Sequence, residues 1–556
     1  MSSNISELSG RKGLKENLFE QLGLLAKETG TPSVEQLEKL AAEFLIGKAN
    51  TYGSASFYDF TREENKGKKV YVCNGSACLC AGTQPALIDK LKSHYKEDEI
   101  GDMCCLGRCH VNSAFHIDGI NYSGDAIDRF SEIMERKEID KIIPNDFYHV
   151  NYFGTPVLTR TYPEISVYYD ILKSALQHSR EELLDEIKIS GLRGRGGAGF
   201  PMSFKLEACK KEINDTKFVV CNADEGDPGA FSDRYILEQR PHSLLMGMII
   251  AGYIIGAEWG VLYIRGEYPE AVNICEEEIG KLREQQLIGK NIFGSGFNFD
   301  FKIIKAQGAY ICGEETALLS SIEGQRPEVR VRPPYPAQKG LFNKPTIVNN
   351  VETLACLPFI IEYGGNSYAS IGKGKSTGTK LVSLDGHFNS PGVYEVDMGT
   401  PLSVVIDQLG NGFTSPIKAM HIGGPLGGLV PVNKIADLSI DFESFQREGF
   451  LLGHASVICL PESFPLIKYI EHLFRFTAHE SCGKCFPCRI GSTRGYEMMA
   501  KAQTSDYKID RKLLDDLLET LEIGSLCALG GGLPLPIKNA LNYFEEELSE
   551  WIMDYK

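Results

Sequence analysis

Residues 181–205 read EELLDEIKISGLRGRGGAGFPMSFK. Gly194, Gly196 and Gly199 match the G-x-G-x-x-G spacing of a dinucleotide loop, yet the ten residues before Gly191 have a helical apolar pattern. That fingerprint has to follow a strand, so this loop is not the phosphate turn of a standard dinucleotide fold. Five glycines between 191 and 199, flanked by Arg193, Arg195 and Lys205, can still bring backbone N–H groups and positive charge to a phosphate. A flexible connecting loop is the plainer alternative.

Outward from this loop, helical and strand patterns alternate from Tyr168 to Tyr363. A strand FVVCNAD, an apolar helix LLMGMIIAGYIIGA, a strand VLYIRG and a helix AVNICEEEIGKLREQQ follow one another. Such alternation predicts a multidomain α/β protein whose central sheet is covered by helices. Residues 379–431 are glycine-rich and strand-like, which suggests a small β-grasp-like insert. The last hundred residues turn helical and read as a bundle. At the other end, residues 8–45 read as two helices, with Leu18, Leu22 and Leu25 on one apolar face and Val34, Leu37, Leu40 and Phe44 on the next. A strand VYVCN, a helix AGTQPALIDKLKSHYK, strand-like AFHIDGINYS and a helix DAIDRFSEIMERK make a small α/β unit. Residues 140–161 look irregular.

The chain has 556 residues, 43% hydrophobic and 24% charged, with a net charge of -16. The composition is that of folded protein and excludes disorder or coiled coil as a whole-chain description. The acidic balance argues against nucleic acid as a partner. The apolar run from Leu244 to Ala257 is shorter than the ~20 residues of a membrane span. The N-terminus lacks a signal-peptide core, and a cytoplasmic protein, free or docked on a larger assembly, is expected.

Sixteen cysteines point to metal or redox chemistry in such a setting. Cys482, Cys485 and Cys488 are spaced C-x2-C-x2-C, and Cys527 follows in IGSLCALGGG. Three thiolates on one loop with a remote fourth suit a [4Fe–4S] cluster. Zinc is the rival, although structural zinc prefers paired C-x2-C units. Cys209, Cys221, Cys275, Cys312, Cys356 and Cys459 sit in apolar surroundings and read as buried thiols.

Three further blocks, CNADEGDPGAFSDR from Cys221, GAYICGEETALLSSIEGQRPEVRVRPPYP from Gly308 and KPTIVNNVETLA from Lys344, stand between the glycine loop and the late cysteines. In this order the set resembles the NADH-oxidising flavoprotein subunit of respiratory complex I and the diaphorase subunits of soluble NAD-linked hydrogenases and formate dehydrogenases. The resemblance runs from about Tyr168 to the C-terminus. It implies a Rossmann-like FMN- and NADH-binding domain. Gly194, Gly196, Gly197 and Lys205 would hold the FMN phosphate end. Asn222, Asp224 and Glu225 would line the isoalloxazine and ribityl side, with Gly313, Asn349, Asn350 and Thr353 completing the flavin site. Phe200 would stack on the nicotinamide nucleotide, while Tyr310, Glu314 and Glu315 approach the nicotinamide and its ribose. Arg332 and Tyr335 stand where the family usually has Lys and Phe. After Lys205 the family often has an aromatic, where this chain has Leu206, so an aromatic support for the adenine is missing there. The local alternatives are that Asp224 caps a helix, that Asn349 and Asn350 are turn residues, and that Tyr310 is ordinary core.

Cys73 and Cys78 (C-x4-C) with Cys105 and Cys109 (C-x3-C) resemble the thioredoxin-like [2Fe–2S] domain that is a neighbouring subunit in complex I, here fused ahead of the flavoprotein. Cys80 and Cys104 could exchange with their neighbours as ligands, and zinc or an empty domain is the alternative. The expected organisation is a helical start (1–65), a thioredoxin-like domain (66–140), a linker (141–165), the FMN and NADH domain (166–365), a β-grasp domain (366–445) and a helical bundle with the [4Fe–4S] cluster (446–556). The implied activity is NADH:acceptor oxidoreduction with FMN, NAD(H) and both clusters, without a catalytic acid. Expected partners are the other subunits of a hydrogenase or formate dehydrogenase, electron-bifurcating or not, with ferredoxin a further candidate. A peripheral complex I subunit is the second enzymatic reading, and a non-catalytic electron-transfer module the third.

Overall fold

The computed structural model describes residues 6–135, apart from 8 and 15, and residues 149–553. The place of Leu8 in the first helix, the end of the helix DAIDRFSEIMERK and the first part of the expected linker lie outside the described residues.

The centre is a parallel sheet in the order Asp300–Lys305, Trp259–Ile264, Phe218–Ala223, Thr346–Asn350. Helices cover both faces, which is why its strands read as continuous apolar runs rather than as alternation. The apolar run at 244–257 belongs to the helix Pro241–Ile255, buried on nearly every residue. Gly247 lets this helix touch the carbonyl of Leu354, where any side chain would collide. The first strand in sequence, Phe218–Ala223, lies between the second and the fourth. The chain therefore reverses its winding between Phe218–Ala223 and Thr346–Asn350, and a crevice opens at their carboxyl ends.

The N-terminal α/β unit has a four-stranded sheet ordered Ile100–Met103, Val70–Cys73, Phe115–Ile117, Ile120–Tyr122, with one parallel pair and two antiparallel ones. Its edge strand Ile100–Met103 has no sequence signature, because half of it is polar. The two helices expected within residues 8–45 are Leu18–Thr29 and Val34–Glu43, and a further helix, Lys48–Ala55, follows them before the unit. Val34 faces solvent, and Leu37, Leu40 and Phe44 form the buried face.

The β-rich region departs most from expectation. Its sheet has six strands, ordered Gly428–Pro431, Ile417–Ile422, Ser456–Pro461, Thr379–Leu384, Gly392–Asp397, His149–Phe153. Two of them lie outside residues 366–445. The strand Ser456–Pro461 falls in the stretch assigned to helices, and His149–Phe153 falls in the segment read as an irregular linker. The latter pairs in parallel with Gly392–Asp397 along its whole length. It is invisible in sequence because it is an edge strand, mostly exposed, with no apolar alternation. The next residues are clipped by buried Glu395, which accepts the backbone N–H groups of Val157, Leu158 and Thr159 at 2.8–3.0 Å. The C-terminal helices Leu466–Glu480, Ser492–Thr504, Arg511–Gly524 and Pro534–Tyr543 form the expected bundle.

The N-terminal third is fastened to the central sheet. Asn17 Nδ2 donates to the Ile322 carbonyl at 2.6 Å, Tyr58 Oη to Ser321 Oγ at 2.8 Å and Asn121 Nδ2 to the Glu267 carbonyl at 2.6 Å. Phe19 packs between Tyr58 and Tyr263. A chain starting at residue 151 should therefore shorten an edge strand and uncover Tyr263 and its neighbours. At ~25 cal/mol per Å² of apolar surface the loss is several kcal/mol, and its melting temperature should drop by roughly 10 °C or more. A shortened chain that melts like the full one would show the N-terminal third to be an appendage.

Candidate functional site

The residues singled out in the glycine loop and the three acidic blocks converge on the crevice at the winding reversal. Strand register sets Cys221 beside Asn349 and Asn222 beside Asn350. Asn222 Nδ2 donates to the Gly313 carbonyl at 2.7 Å. Asp224 leaves the strand end into the crevice. It caps no helix; its Oδ2 has no hydrogen-bond partner, and burial pushes its carboxyl well above the usual range. Asn349 Nδ2 is likewise buried without a partner. Buried polar atoms are nearly always satisfied, so two orphans in one crevice call for a polar ligand. Gly197 has φ +132° and open space where a side chain would stand, while a side chain at Gly196 would press on Asn350. The crevice thus offers a bare backbone, a carboxyl and two amides, and these fit a flavin phosphate and ring edge.

Some expected roles move. Arg195 is fully buried and donates to Tyr368 Oη and the Thr377 carbonyl, and Arg193 pairs with Glu443 Oε1 at 2.5 Å over the Phe442 ring. Neither serves the loop as a free cation. Lys205 Nζ lies 2.9 Å from Glu315 Oε2 and donates to the Val348 carbonyl at 3.0 Å. Arg332 reaches the other oxygen of Glu315 at 2.9 Å. Glu314 caps the helix Glu315–Ile322 through the N–H groups of Thr316 and Ala317. Asn350 caps the helix Val351–Ala355 through Thr353 N, so its turn role is real, and its Nδ2 donates to Asp233 at 2.6 Å. Thr353 Oγ1 accepts from the Arg195 N–H. Glu225 is buried, with its oxygens held by the N–H groups of Asp233 and Arg234 and by Tyr268 Oη. Tyr310 lies on a short 3-10 turn, not a strand, and donates to Asp227 Oδ1 at 2.8 Å. Tyr335 is exposed at the rim.

Phe204 joins the site without having been expected there. It is 64% exposed beside Phe200, 51% exposed, with ring centroids 6.2 Å apart. The two exposed rings meet edge to face, inclined at 67°, so each offers a face to a stacking ligand. The signal is present in the sequence as F-x3-F across the start of the helix Met202–Lys211, but the family pattern points to the residue after Lys205 rather than the one before it.

The late cysteines come together where the helix Leu466–Glu480 ends. Cys482 and Cys488 are buried, while Cys485 and Cys527 are partly open. Leu526 N donates to Cys485 Sγ at 3.3 Å, linking the loop to the Cys527 segment, and a side chain at Gly530 would crowd Cys488 Sγ. Burial, with Glu314 and the other thiols close by, pushes the Cys527 thiol up to about 12. Free thiols gathered from one loop and a helix start fit an all-cysteine cluster.

In the N-terminal unit Cys73, Cys78, Cys105 and Cys109 are brought together. Cys105 and Cys109 have their sulfurs 3.3 Å apart, and Cys73 reaches both Cys105 and Cys78. Cys80 lies near Asp385 and Cys459, and Cys104 near Arg265 and Glu480. The unit also meets the crevice directly, for Gly229 N donates to Cys109 Sγ at 3.2 Å. Gly229 sits on the same loop as Asp224, Glu225 and Asp227.

Comparisons with known proteins agree with this geometry. Residues 187–358 match the Nuo51 FMN-binding domain, 468–551 the NADH-ubiquinone oxidoreductase-F iron-sulfur binding region, and 5–138 the thioredoxin-like [2Fe–2S] ferredoxin. The chain is 43% identical over 393 residues to the NADP-reducing hydrogenase subunit HndC of Solidesulfovibrio fructosivorans, covering 70% of this chain and 79% of that one. It is 39% identical to an NADH-quinone oxidoreductase subunit of Rhizobium meliloti, covering 70% of this chain and 93% of that one. A crystal structure of an NAD+-reducing [NiFe]-hydrogenase superposes with a TM-score of 0.84 at 28% identity, covering 98% of this chain and 95% of the other. Among the described residues no helix is long and apolar enough to cross a membrane. The chain belongs to the family of NADH dehydrogenase flavoprotein subunits that bind FMN and a [4Fe–4S] cluster, and it carries a thioredoxin-like [2Fe–2S] domain ahead of them.

Proposed function

We propose that this chain is the NAD(H)-handling subunit of a multi-subunit hydrogenase-type complex. The observation that carries this is the structural match: an NAD+-reducing hydrogenase chain superposes on 98% of this one, ferredoxin unit included, and the hydrogenase subunit HndC is 43% identical, against 39% for a quinone oxidoreductase subunit. A peripheral complex I subunit is less well supported on the same ground, and a purely electron-carrying module does not account for the orphaned Asp224 and Asn349.

FMN and the clusters, when bound, would supply the conversion between hydride transfer and single-electron transfer. The chain's own residues do the rest. Gly194, Gly196 and Gly197 would receive the FMN phosphate end on bare backbone, and Asn222, Asp224, Gly313, Asn349, Asn350 and Thr353 would hold the ring and ribityl side. Asp224, with an unpartnered buried oxygen and a carboxyl that burial raises well above the usual range, suits hydrogen bonding to a polar ring edge. Phe200 and Phe204 would stack the nicotinamide nucleotide. Tyr310 and Glu314 would bound its reactive end, and Glu315, Lys205, Arg332 and Tyr335 its adenosine-side ribose. Glu225 is read as a residue behind the site. Hydride transfer needs no general acid, and none is assigned. Cys482, Cys485, Cys488 and Cys527 would hold the four-iron cluster, and Cys73, Cys78, Cys105 and Cys109 the two-iron one, with Cys80 and Cys104 outside it.

The partner is proposed to dock over the four-cysteine site. Phe486 (67% exposed) and Ile523 (76% exposed) stand with Ile490 and Leu526 around the partly open Cys485 and Cys527. Apolar residues grouped at the rim of a redox site suit another electron carrier.

The protein should hold about six irons in two clusters. Cys485→Ser should abolish the four-iron EPR signal and leave the two-iron one, and unchanged spectra would end the ligand assignment. Glu315 is already balanced by Lys205 and Arg332, so its repulsion of a 2′-phosphate is partly cancelled. NADH should still be preferred. Glu315→Gln should free Lys205 of its carboxylate, leave Arg332 with Glu314 alone, and lower the NADPH KM about tenfold, the equivalent of ~1.4 kcal/mol; equal wild-type rates with both nucleotides would refute this placement. Ile523→Glu should leave dye-linked NADH oxidation intact and weaken co-purification with partner subunits, and full retention of partners would move the docking face elsewhere.

A further inference from the structure

Gly453, His454 and Ala455 form a tight turn ahead of the strand Ser456–Pro461. Ala455 adopts φ +61° although it is not glycine, and Gly453 lies so close to the Gly423 carbonyl that any side chain would collide. A left-handed alanine costs energy, and such strain persists where packing over-determines it. The turn carries one imidazole across the boundary between the six-stranded sheet and the flavin domain.

His454 is buried, with Nε2 3.5 Å from Asp233 Oδ2 and 3.6 Å from Glu225 Oε1. Both separations exceed a good hydrogen bond, and neither ring nitrogen has a hydrogen-bond partner. The carboxylates are bonded elsewhere, Glu225 to the start of the helix Ser232–Gln239 and Asp233 to Asn350 Nδ2. What His454 adds is therefore charge. The other charged groups around it are committed: Lys380 to Glu352, Arg265 to Glu267 and the Glu225 carbonyl, and Asp227 to Tyr310. Two buried carboxylates this close cannot both stay ionised without a cation. Burial opposes a charged imidazole, but Asp233 and Glu225 outweigh it and lift His454 to about 9.

We propose that His454 is a positioning residue of the flavin site: set against Asp233 and Glu225, its imidazole offsets their negative charge, and so holds Asn350 and the 224–230 loop in the shape that receives FMN. This rests on the assignment of Asn350 and that loop to FMN.

The test uses the full chain stripped of flavin, with FMN affinity read by fluorescence quenching between pH 6 and 9.5 and the midpoint potential of bound flavin by spectroelectrochemistry. Thermal melting and cluster EPR report the fold. The wild type should bind FMN with little pH dependence between about pH 7, below which Glu225 takes up its proton, and about pH 9, above which affinity falls as His454 loses its own. His454→Gln should weaken FMN binding about tenfold at pH 8, the equivalent of one charge-assisted contact. Affinity should return toward lower pH as a carboxylate takes up a proton, and the flavin potential should become more negative. If the single variant folds poorly, Asp233→Asn added to it should restore both fold and FMN binding, because the charge conflict is then gone. His454→Gln with wild-type affinity, potential and pH profile would overturn the proposal. A missing rescue by Asp233→Asn would do the same, as would a stoichiometric divalent metal that the wild type binds and His454→Gln loses. A wild-type chain that takes up no FMN would overturn the site assignment itself.

Discussion

The loop from Asp224 to Ala230 is the constraint on which the rest of the molecule depends. It buries Glu225 and half-buries Asp224 and Asp227 within four residues, and burial raises all three carboxyls. Buried carboxylates are costly unless each finds donors or a cation. No single domain supplies enough. The flavin domain gives Glu225 the start of the helix Ser232–Gln239 and Tyr268, and Tyr310 serves Asp227. The six-stranded sheet contributes His454 and the Gly423–Gly424 turn, which touches Asp227 with bare backbone. The ferredoxin unit takes Gly229 N onto Cys109 Sγ.

This shared burden explains why the domains are not beads on a string. Arg265, itself buried, pairs with Glu267, donates to the Glu225 carbonyl and reaches the Cys104 carbonyl in the N-terminal unit. Tyr310 connects the loop to the bundle, since its N–H donates to Glu480 at 2.8 Å and its ring meets Phe476 edge-on. Glu480 stands two residues before Cys482. A single acidic segment is thus tied directly to Cys109 and, through Tyr310 and Glu480, to the chain just before Cys482. Rigid packing of this kind limits the reorganisation that electron movement between fixed sites would require.

Several features are legible in the sequence alone. The α/β centre follows from alternation, the buried Pro241–Ile255 helix from its apolar run, and the cysteine groups from spacing. The glycine loop is correctly set apart from a dinucleotide fingerprint, because a helix, Arg180–Ser190, precedes it. Less is legible where the pattern is weak. His149–Phe153 and Ile100–Met103 are edge strands held by backbone pairing, which polar side chains do not announce. Arg193 and Arg195 look like phosphate ligands by proximity in sequence, but a residue's neighbours in the chain do not tell which way its side chain turns.

The sequence by itself determined the chemistry: thiolates at cluster spacing, a bare glycine backbone and acidic blocks in a recognisable order, all of which are local. Tertiary structure alone decided which groups meet. It brought Cys73 and Cys78 to Cys105 and Cys109, set Phe204 beside Phe200, and brought His454 to Glu225 and Asp233 across 221 residues of chain from Asp233. The physical reason is that charge and burial act through space. A carboxylate's need for a cation can be read from its neighbours in the fold, and in this chain those neighbours come from domains that the sequence keeps far apart.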